Sequence, residues 1–351
     1  MLERRRYSNY RVQIQKSLKR KKEKTYMKFT FKQIGIAAMA LTLTACSSGT
    51  ASTDTTTSSA DPDASASTWV YDGPGYDALY EDLGKADVDL SNADGKLKAI
   101  IDSGKLVMAT SPDFPPSEFV DELTGDVKGS DVMLAQYIAN SLGVELEVET
   151  MDFNAVLTAV DTGKADVGIS GFGYKKDRAE QFELSIGYEA NSAASHHTLL
   201  VRTEDADKYN SLSDFAGKKI DAQANSLQEM YVNDQIDDAE LTLVSTLDQA
   251  LLELQSGKVD AVALPSTTAK NYAEAKSTGG MFTSVYETKG IEFDLSQYKE
   301  TAGNVVACKK GETSLINAIN EIIQQMMDKG LYADMYYAAC DAAGVQPSSE
   351  E

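Results

Sequence analysis

Residues 154–170, NAVLTAVDTGKADVGIS, and residues 246–264, TLDQALLELQSGKVDAVAL, are built on one grammar. Each reads as a helix, a glycine stop and a strand. In the second copy Leu247, Leu251 and Leu254 share a helical face. Gly163 and Gly257 follow the helices where the absence of a Cβ suits a left-handed cap. The heptapeptides DTGKADV and QSGKVDA begin 94 residues apart. Two such units so far apart point to two lobes of like architecture rather than one continuous sheet.

Outward from this pair the alternation continues. LKAIIDSG reads as a helix closed by Gly104, KLVMATS as a strand and PDFPP as a loop stiffened by proline. Residues 130–142 place Val132, Leu134, Ala135 and Ile138 near helical spacing and stop at Gly143. VELEVETM alternates as a half-buried strand. HHTLLVRTED reads as a strand leading out of the first lobe, and SLSDFAGKKIDAQANS as a helix and strand entering the second. NVVACKKGE is a further strand, followed by the helix SLINAINEIIQQMMDKG and a shorter one ending near Ala343. Strands alternating with helices define an α/β fold of mostly parallel sheets flanked by helices, in which ligands sit beyond strand C-termini. The loops PDFPP, SGFG and QANSLQ all follow strands and are expected to converge on one crevice.

One stretch carries chemistry, residues 166–178, DVGISGFGYKKDR. Glycines admit a ligand close to the main chain, amides opening a helix suit an anion, and an arginine fork suits a carboxylate. Taken alone, the segment also reads as an ordinary strand–loop–helix connection with a surface arginine. Adjacent His196 and His197 point to opposite faces of a strand, so no shared metal ion is expected of them, and a surface or hinge-side position is.

Length and charge set the class. At 351 residues and 42% hydrophobic composition the chain can bury a sizeable core in about two domains. The formal charge is -21, yet residues 1–45 hold 12 Lys/Arg and 2 Asp/Glu. Without them the balance is 21 basic against 52 acidic residues, which repels nucleic acid and anionic lipid. Lys28 and Lys32 ahead of the apolar run Ile34–Ala45 describe an export signal over residues 1–45, one that Met27 would begin in better proportion. The run is too short for a stable membrane span. Leu43-Thr44-Ala45-Cys46 resembles the lipobox of bacterial lipoproteins, which implies a lipidated Cys46. Residues 46–68 lack any aliphatic or aromatic side chain larger than alanine, so they read as a flexible tether. Residues 69–93 bring Trp69, Tyr71, Tyr76 and Tyr80 and read as a packed N-terminal extension without a functional assignment. Of the cysteines, Cys308 and Cys340 remain after export, and spacing leaves their pairing open.

GKLVMATSPDFPPSEF, GVELEVETMDFNAVLTAVDTGKADVGISG, Arg178, LSDFAGKKIDAQANSLQE and LQSGKVDAV occur in the order and spacing seen in solute-binding proteins of polar-amino-acid ABC importers (extracellular solute-binding family 3). The resemblance spans roughly residues 94–345. It implies a two-lobed fold of the type II periplasmic-binding-protein kind with two hinge crossovers. Lobe one would be 94–200 plus 304–345, lobe two 203–300, with hinges near Val201 and Asn304 and a tail at 346–351. It also implies ligand contacts. Phe114 and Phe153 would flank the ligand, Ser170, Gly171 and Gly173 would contribute main-chain and hydroxyl contacts, Arg178 would hold an α-carboxylate, and amides of the Ser226–Leu227 loop would meet the same group. Gly173 stands where Ser or Thr is usual. Ser111 stands where an acid is frequent, and Pro265 where an acid usually pairs with the ligand's ammonium. Asp113, Glu118 or another acid would have to substitute, or the ligand is not an ordinary α-amino acid. By this likeness the protein passes its solute to a permease driven by an ATPase; it is read as a monomer that needs no cofactor, and lipidation with a long tether fits an extracellular, Gram-positive membrane face. The motif loops offer groups that bind rather than an acid–base constellation, so an enzyme is not expected. A sensor or adhesin lipoprotein, or a dehydratase on the same fold, is the competing reading.

Overall fold

The computed structural model describes residues 71–189, 196–275, 278–298 and 303–347. The signal, Cys46, the tether and Trp69 lie outside the described residues, as does most of the tail.

Thirteen strands are described. The first lobe carries β1 (Lys105–Thr110), β2 (Asp113–Phe114), β3 (Glu118–Val120), β4 (Val127–Lys128), β5 (Glu145–Thr150), β6 (Val167–Gly168) and β7 (Phe182–Leu184). The second carries β8 (His197–Arg202), β9 (Lys219–Gln223), β10 (Glu240–Val244), β11 (Ala261–Pro265) and β12 (Phe282–Ser284), after which β13 (Ala307–Lys309) returns to the first. The two five-stranded sheets run β5-β1-β6-β13-β7 and β10-β9-β11-β8-β12. Each has a block of three parallel strands, to which two further strands add antiparallel. The antiparallel strands are those the chain lays down as it changes lobe. A third sheet, β2-β3-β4, was not foreseen from the sequence.

The repeated heptapeptide has a structural cause. Gly163 and Gly257 take φ of 76° and 74° and turn the chain out of its helix. The aspartate three residues on then clamps a neighbouring strand of its own sheet, β1 in the first lobe and β9 in the second. Asp166 Oδ2 accepts from Val107 N at 2.8 Å, and Asp166 N donates to the Val107 carbonyl at 2.9 Å. In the second lobe Asp260 Oδ2 accepts from Lys219 N at 3.0 Å, and Asp260 N donates to the Lys219 carbonyl at 2.8 Å. Each clamp satisfies main-chain groups at the start of a strand that no neighbouring strand reaches.

The helix Ser130–Leu142 is buried nearly all round and centres the first core with Thr313–Asp328 and Leu331–Ala343. The N-terminal extension joins it through Tyr76, Leu79, Leu83 and Ala86. Tyr76 Oη donates to the Gly129 carbonyl and accepts from its N–H at 2.9 Å. Cys308 and Cys340 are both buried free thiols, Cys308 within this core. Burial pushes the Cys340 thiol up to about 12.

Two expectations change. β5 forms the sheet edge, with partial burial along most of its length instead of alternation. Val201 is no hinge, because β8 belongs wholly to the second sheet and Val201 pairs there with Ala261 and Thr283. The chain is still paired with the first lobe at Tyr188 and is in the second sheet from His197. Tyr188 still pairs with Asn304, on the returning chain.

Asp221, on β9, has no exposure, and neither of its carboxylate oxygens finds a hydrogen-bond partner. Burial first, and the charge of Glu253 second, push it up to about 7. The folded chain thus keeps a proton that the unfolded chain releases near the ordinary aspartate value of 3.8. Stability therefore falls as pH rises from about 4 through about 7. Asp221→Asn should raise the melting temperature by several degrees at pH 8 and by much less at pH 4.5. Scanning calorimetry at both pH values checks this, and equal shifts would contradict it.

Candidate functional site

The three loops converge. Phe114–Pro116, Ser170, Gly171, Gly173 and Ser226–Gln228 line one cavity of about 1180 Å³ between the lobes, together with Glu118, Phe153, Arg178, Gln223 and Leu264–Thr268.

Arg178 sits on the short helix Lys176–Gln181 and is 5% exposed. Its Nη1 donates to the Gly173 carbonyl and its Nη2 to the Asn225 carbonyl at 2.8 Å, so the guanidinium touches both lobes. The Phe172 ring lies 4.8 Å from its central carbon. Burial holds the guanidinium down to about 10, because the charged form is desolvated while its contacts are neutral oxygens.

The glycine loop is held from behind. Ser170 Oγ donates to Glu118 Oε1 at 2.9 Å and accepts from Ser111 N at 2.9 Å, so this hydroxyl turns into the lobe. Gly171 N donates to Asp131 Oδ2 at 2.8 Å. Gly171 has a φ of 56°, and a Cβ there would press on the Phe114 ring at 3.0 Å. Gly173 bridges Asn304, and a Cβ on it would collide with the side chain of Leu227 from the other lobe. The missing hydroxyl at Gly173 thus has a local reason. Leu227 occupies that volume.

Behind the loop lies a buried network that the sequence reading did not assemble. Asp131 accepts from Tyr188 Oη at 3.1 Å and Tyr332 Oη at 3.2 Å besides Gly171. Glu118 is 1% exposed and stands against it. Burial, then the neighbouring Asp131, hold the Glu118 carboxyl well above the usual range. Burial likewise pushes Asp131 up to about 6, against the donors it accepts from. The only sequence signal was an aspartate one residue into a helix.

Ser111 and Asp113 do not line the cavity. Ser111 Oγ donates to Asp113 Oδ1 at 2.8 Å. Asp113 Oδ2 accepts across the lobes, from Gln223 Nε2 at 2.9 Å and Leu247 N at 2.8 Å. Leu247 opens the helix Leu247–Gln255, whose N-terminal amides favour a carboxylate. Asp113 is a latch between lobes, as is the Phe114 ring, which packs on the second-lobe cluster around Leu200 and Leu264. Asp113→Ala should speed ligand release about tenfold with little change in association, since charge-assisted bonds of about 1.5–3 kcal/mol are lost only from the closed form. Stopped-flow release rates check this, and an unchanged rate would contradict it.

Ser226 caps the helix Leu227–Gln235 by accepting from Glu229 N at 3.1 Å, which commits its hydroxyl. Phe153 packs on Phe172 with ring centroids 4.8 Å apart and also reaches the cavity wall. The histidines divide. His196 is half-exposed and faces Glu292 and Tyr286. His197 is buried on the cavity wall with its Nδ1 2.7 Å from Gln228 Nε2, a correction to the expected surface or hinge-side position.

Two α/β lobes closing on a shared cavity, with a buried arginine at the seam, define a solute-binding trap. Residues 106–338 match the family described as bacterial extracellular solute-binding proteins, family 3, and the chain belongs to that family. It is 29% identical over 233 residues to the arginine-binding extracellular protein ArtP of Bacillus subtilis, covering 64% of this chain and 82% of that one. The L-cystine-binding protein TcyJ of Escherichia coli is 21% identical over 68% of this chain and 83% of its own. Among solved structures, the amino acid ABC transporter substrate-binding protein AbpA of Streptococcus pneumoniae bound to L-arginine aligns with a TM-score of 0.63 at 32% identity. That alignment covers 71% of this chain and 100% of that one. The ancestral amino acid-binding protein AncCDT-1, a precursor of cyclohexadienyl dehydratase, aligns with a TM-score of 0.59 at 26% identity, over 69% and 98% of the two chains. These relatives are named as binding proteins, and one lies on a line leading to an enzyme. Among the described residues no helix is long and apolar enough to cross a membrane.

Proposed function

We propose that the protein, anchored outside the cell by a lipid on Cys46, captures an amino acid or related small carboxylate between its lobes. It then presents the closed form to an ABC permease with its ATPase. The observation that carries this reading is Arg178, a buried guanidinium whose hydrogen-bond acceptors are one neutral carbonyl from each lobe. A charge enclosed with neutral partners is costly, and a ligand carboxylate supplies both compensation and a bidentate geometry. Phe114, Phe153, Gly173 and the Ser226–Leu227 amides would complete that end of the site, while Ser170 and Gly171 act from behind by fixing the loop. Ligand contacts to both lobes shift an open–closed equilibrium. On the described cavity wall Ser170 donates to Glu118, but that hydroxyl turns into the lobe, which favours capture over catalysis. The names of the arginine- and cystine-binding relatives support an amino-acid-like solute.

The experiment is a thermal-shift screen of amino acids, 2-hydroxy and 2-oxo acids, and di- and tricarboxylates. A specific solute at a hundred times its Kd should stabilise the native state by about 2.7 kcal/mol. Silence across all carboxylates would reject the reading. Globomycin-sensitive processing of the precursor at Cys46, followed by mass spectrometry of the N-terminus, tests the anchor separately.

A further inference from the structure

Residues 71–93 precede the stretch that matches the family, 106–338. Their helix Tyr76–Glu81 buries Tyr76 in the first core. The tyrosine hydroxyl engages one residue twice, donating to the Gly129 carbonyl at 3.1 Å and accepting from the Gly129 N–H at 2.9 Å. Gly129 is the N-cap of the helix Ser130–Leu142 and has a φ of 140°, which favours glycine. A Cβ there would also collide with the Ser117 carbonyl, so the residue is pressed against the loop that follows β2. The next two amides bond to that loop. Ser130 N donates to the Pro116 carbonyl at 3.1 Å, and Asp131 N to the Ser117 carbonyl at 2.9 Å.

Residues 113–118 are lobe one's side of the closure. Asp113 reaches Gln223 and Leu247, the Phe114 ring packs on the second-lobe cluster, and residues 114–118 line the cavity. Lys128, on β4 of the same small sheet, ion-pairs with Asp121 at 2.8 Å and with Asp77 of the extension at 3.1 Å. Its Nζ lies 5.4 Å from the centre of the Tyr76 ring. Asp131 carries the chain of bonds on to the glycine loop through Gly171 N. Hydrogen bonds thus run from Tyr76 through Gly129 and its two successors to both cavity loops of lobe one. Without the hydroxyl, the buried Gly129 N–H loses its acceptor, and such a group does not stay in place without cost.

On the capture reading above, we propose that Tyr76 is a positioning residue. By holding Gly129, the N-terminal extension sets residues 113–118 in the geometry that meets lobe two. A loop held ready for closure need not be ordered when the solute binds, and affinity gains by that saving.

The test compares two variants that each remove one hydroxyl from the extension. Tyr76→Phe keeps the ring and its stack on Tyr80. Tyr80→Phe removes a hydroxyl that donates to Gln136 Oε1 at 2.7 Å, on the same long helix but with no bond to the loop. Calorimetric titration with the solute from the screen, at a temperature where both variants are folded, should find Tyr76→Phe weaker by about fivefold. Tyr80→Phe should stay within about twofold of the unmodified protein, a difference that general loss of stability would not produce. Hydrogen exchange in the solute-free proteins should quicken at residues 113–118 and 129–131 in Tyr76→Phe and stay unchanged there in Tyr80→Phe. Unchanged affinity in Tyr76→Phe, or equal losses in the two variants, overturns the positioning role and leaves the carboxylate reading standing. Silence of every carboxylate in the screen removes the capture reading instead. Exchange then decides alone whether Tyr76 holds the loop, and unchanged exchange in Tyr76→Phe overturns that too.

Discussion

Arg178→Ala should lower affinity for the solute at least a hundredfold, with the ligand-induced rise in melting temperature lost at concentrations that saturate the unmodified protein. Truncation removes a buried cation at the lobe seam and both of its carbonyl contacts. A charge-assisted pair in a desolvated site contributes about 3 kcal/mol or more, since the partner carboxylate is then left without compensation. The free protein should not suffer equally. A guanidinium that burial holds down to about 10 is under electrostatic cost in the empty cleft, so the variant should fold with a melting temperature near or above the original. Affinity within a factor of two of the unmodified protein would remove the anchor from the account. Arg178→Lys should recover little, because a point charge does not reproduce the fork.

Asp131→Ala should be the most damaging change to stability. It strands the Gly171 N–H and the Tyr188 hydroxyl, and leaves the Tyr332 hydroxyl with Ser130 alone. A buried donor left without an acceptor costs about 1–3 kcal/mol, so the sum should exceed about 3 kcal/mol. For a protein of this size that is a fall of roughly 6–12 °C. The loss should extend to binding, because Asp131 ties the glycine loop to Tyr188, which pairs with Asn304. Asp131→Asn keeps an acceptor and should recover part of both. A variant melting within 2 °C of the original would show that the network carries no stability.

How much of this could be read from residues alone depended on the range of the interaction. Helix ends were legible because the signal is local: Gly104 and Gly143 take φ of 73° where the caps were expected. The doubled GKxD motif was legible as a repeat, but its clamp on Val107 and Lys219 was not, as those partners lie some forty to sixty residues away. The convergence of the PDFPP, SGFG and QANSLQ loops followed from strand order. What each side chain does there did not. Ser170 and Ser226 carry hydroxyls that suit a ligand, yet one is tied to Glu118 and the other caps a helix. Asp113 looked like a ligand acid and is a closure latch, since its partners Gln223 and Leu247 sit on the other lobe. His197 looked peripheral because alternation along a strand gives its facing but not which face is covered.

The central claim is that a carboxylate on the solute is what the lobes close around at Arg178. Its most direct measurement is a paired titration of the best solute from the screen and its primary carboxamide, identical in shape and lacking the charge. The account predicts that the amide binds at least a hundredfold more weakly to the unmodified protein, and that the two compounds become nearly equal on Arg178→Ala. Equal affinity of acid and amide for the unmodified protein would contradict it.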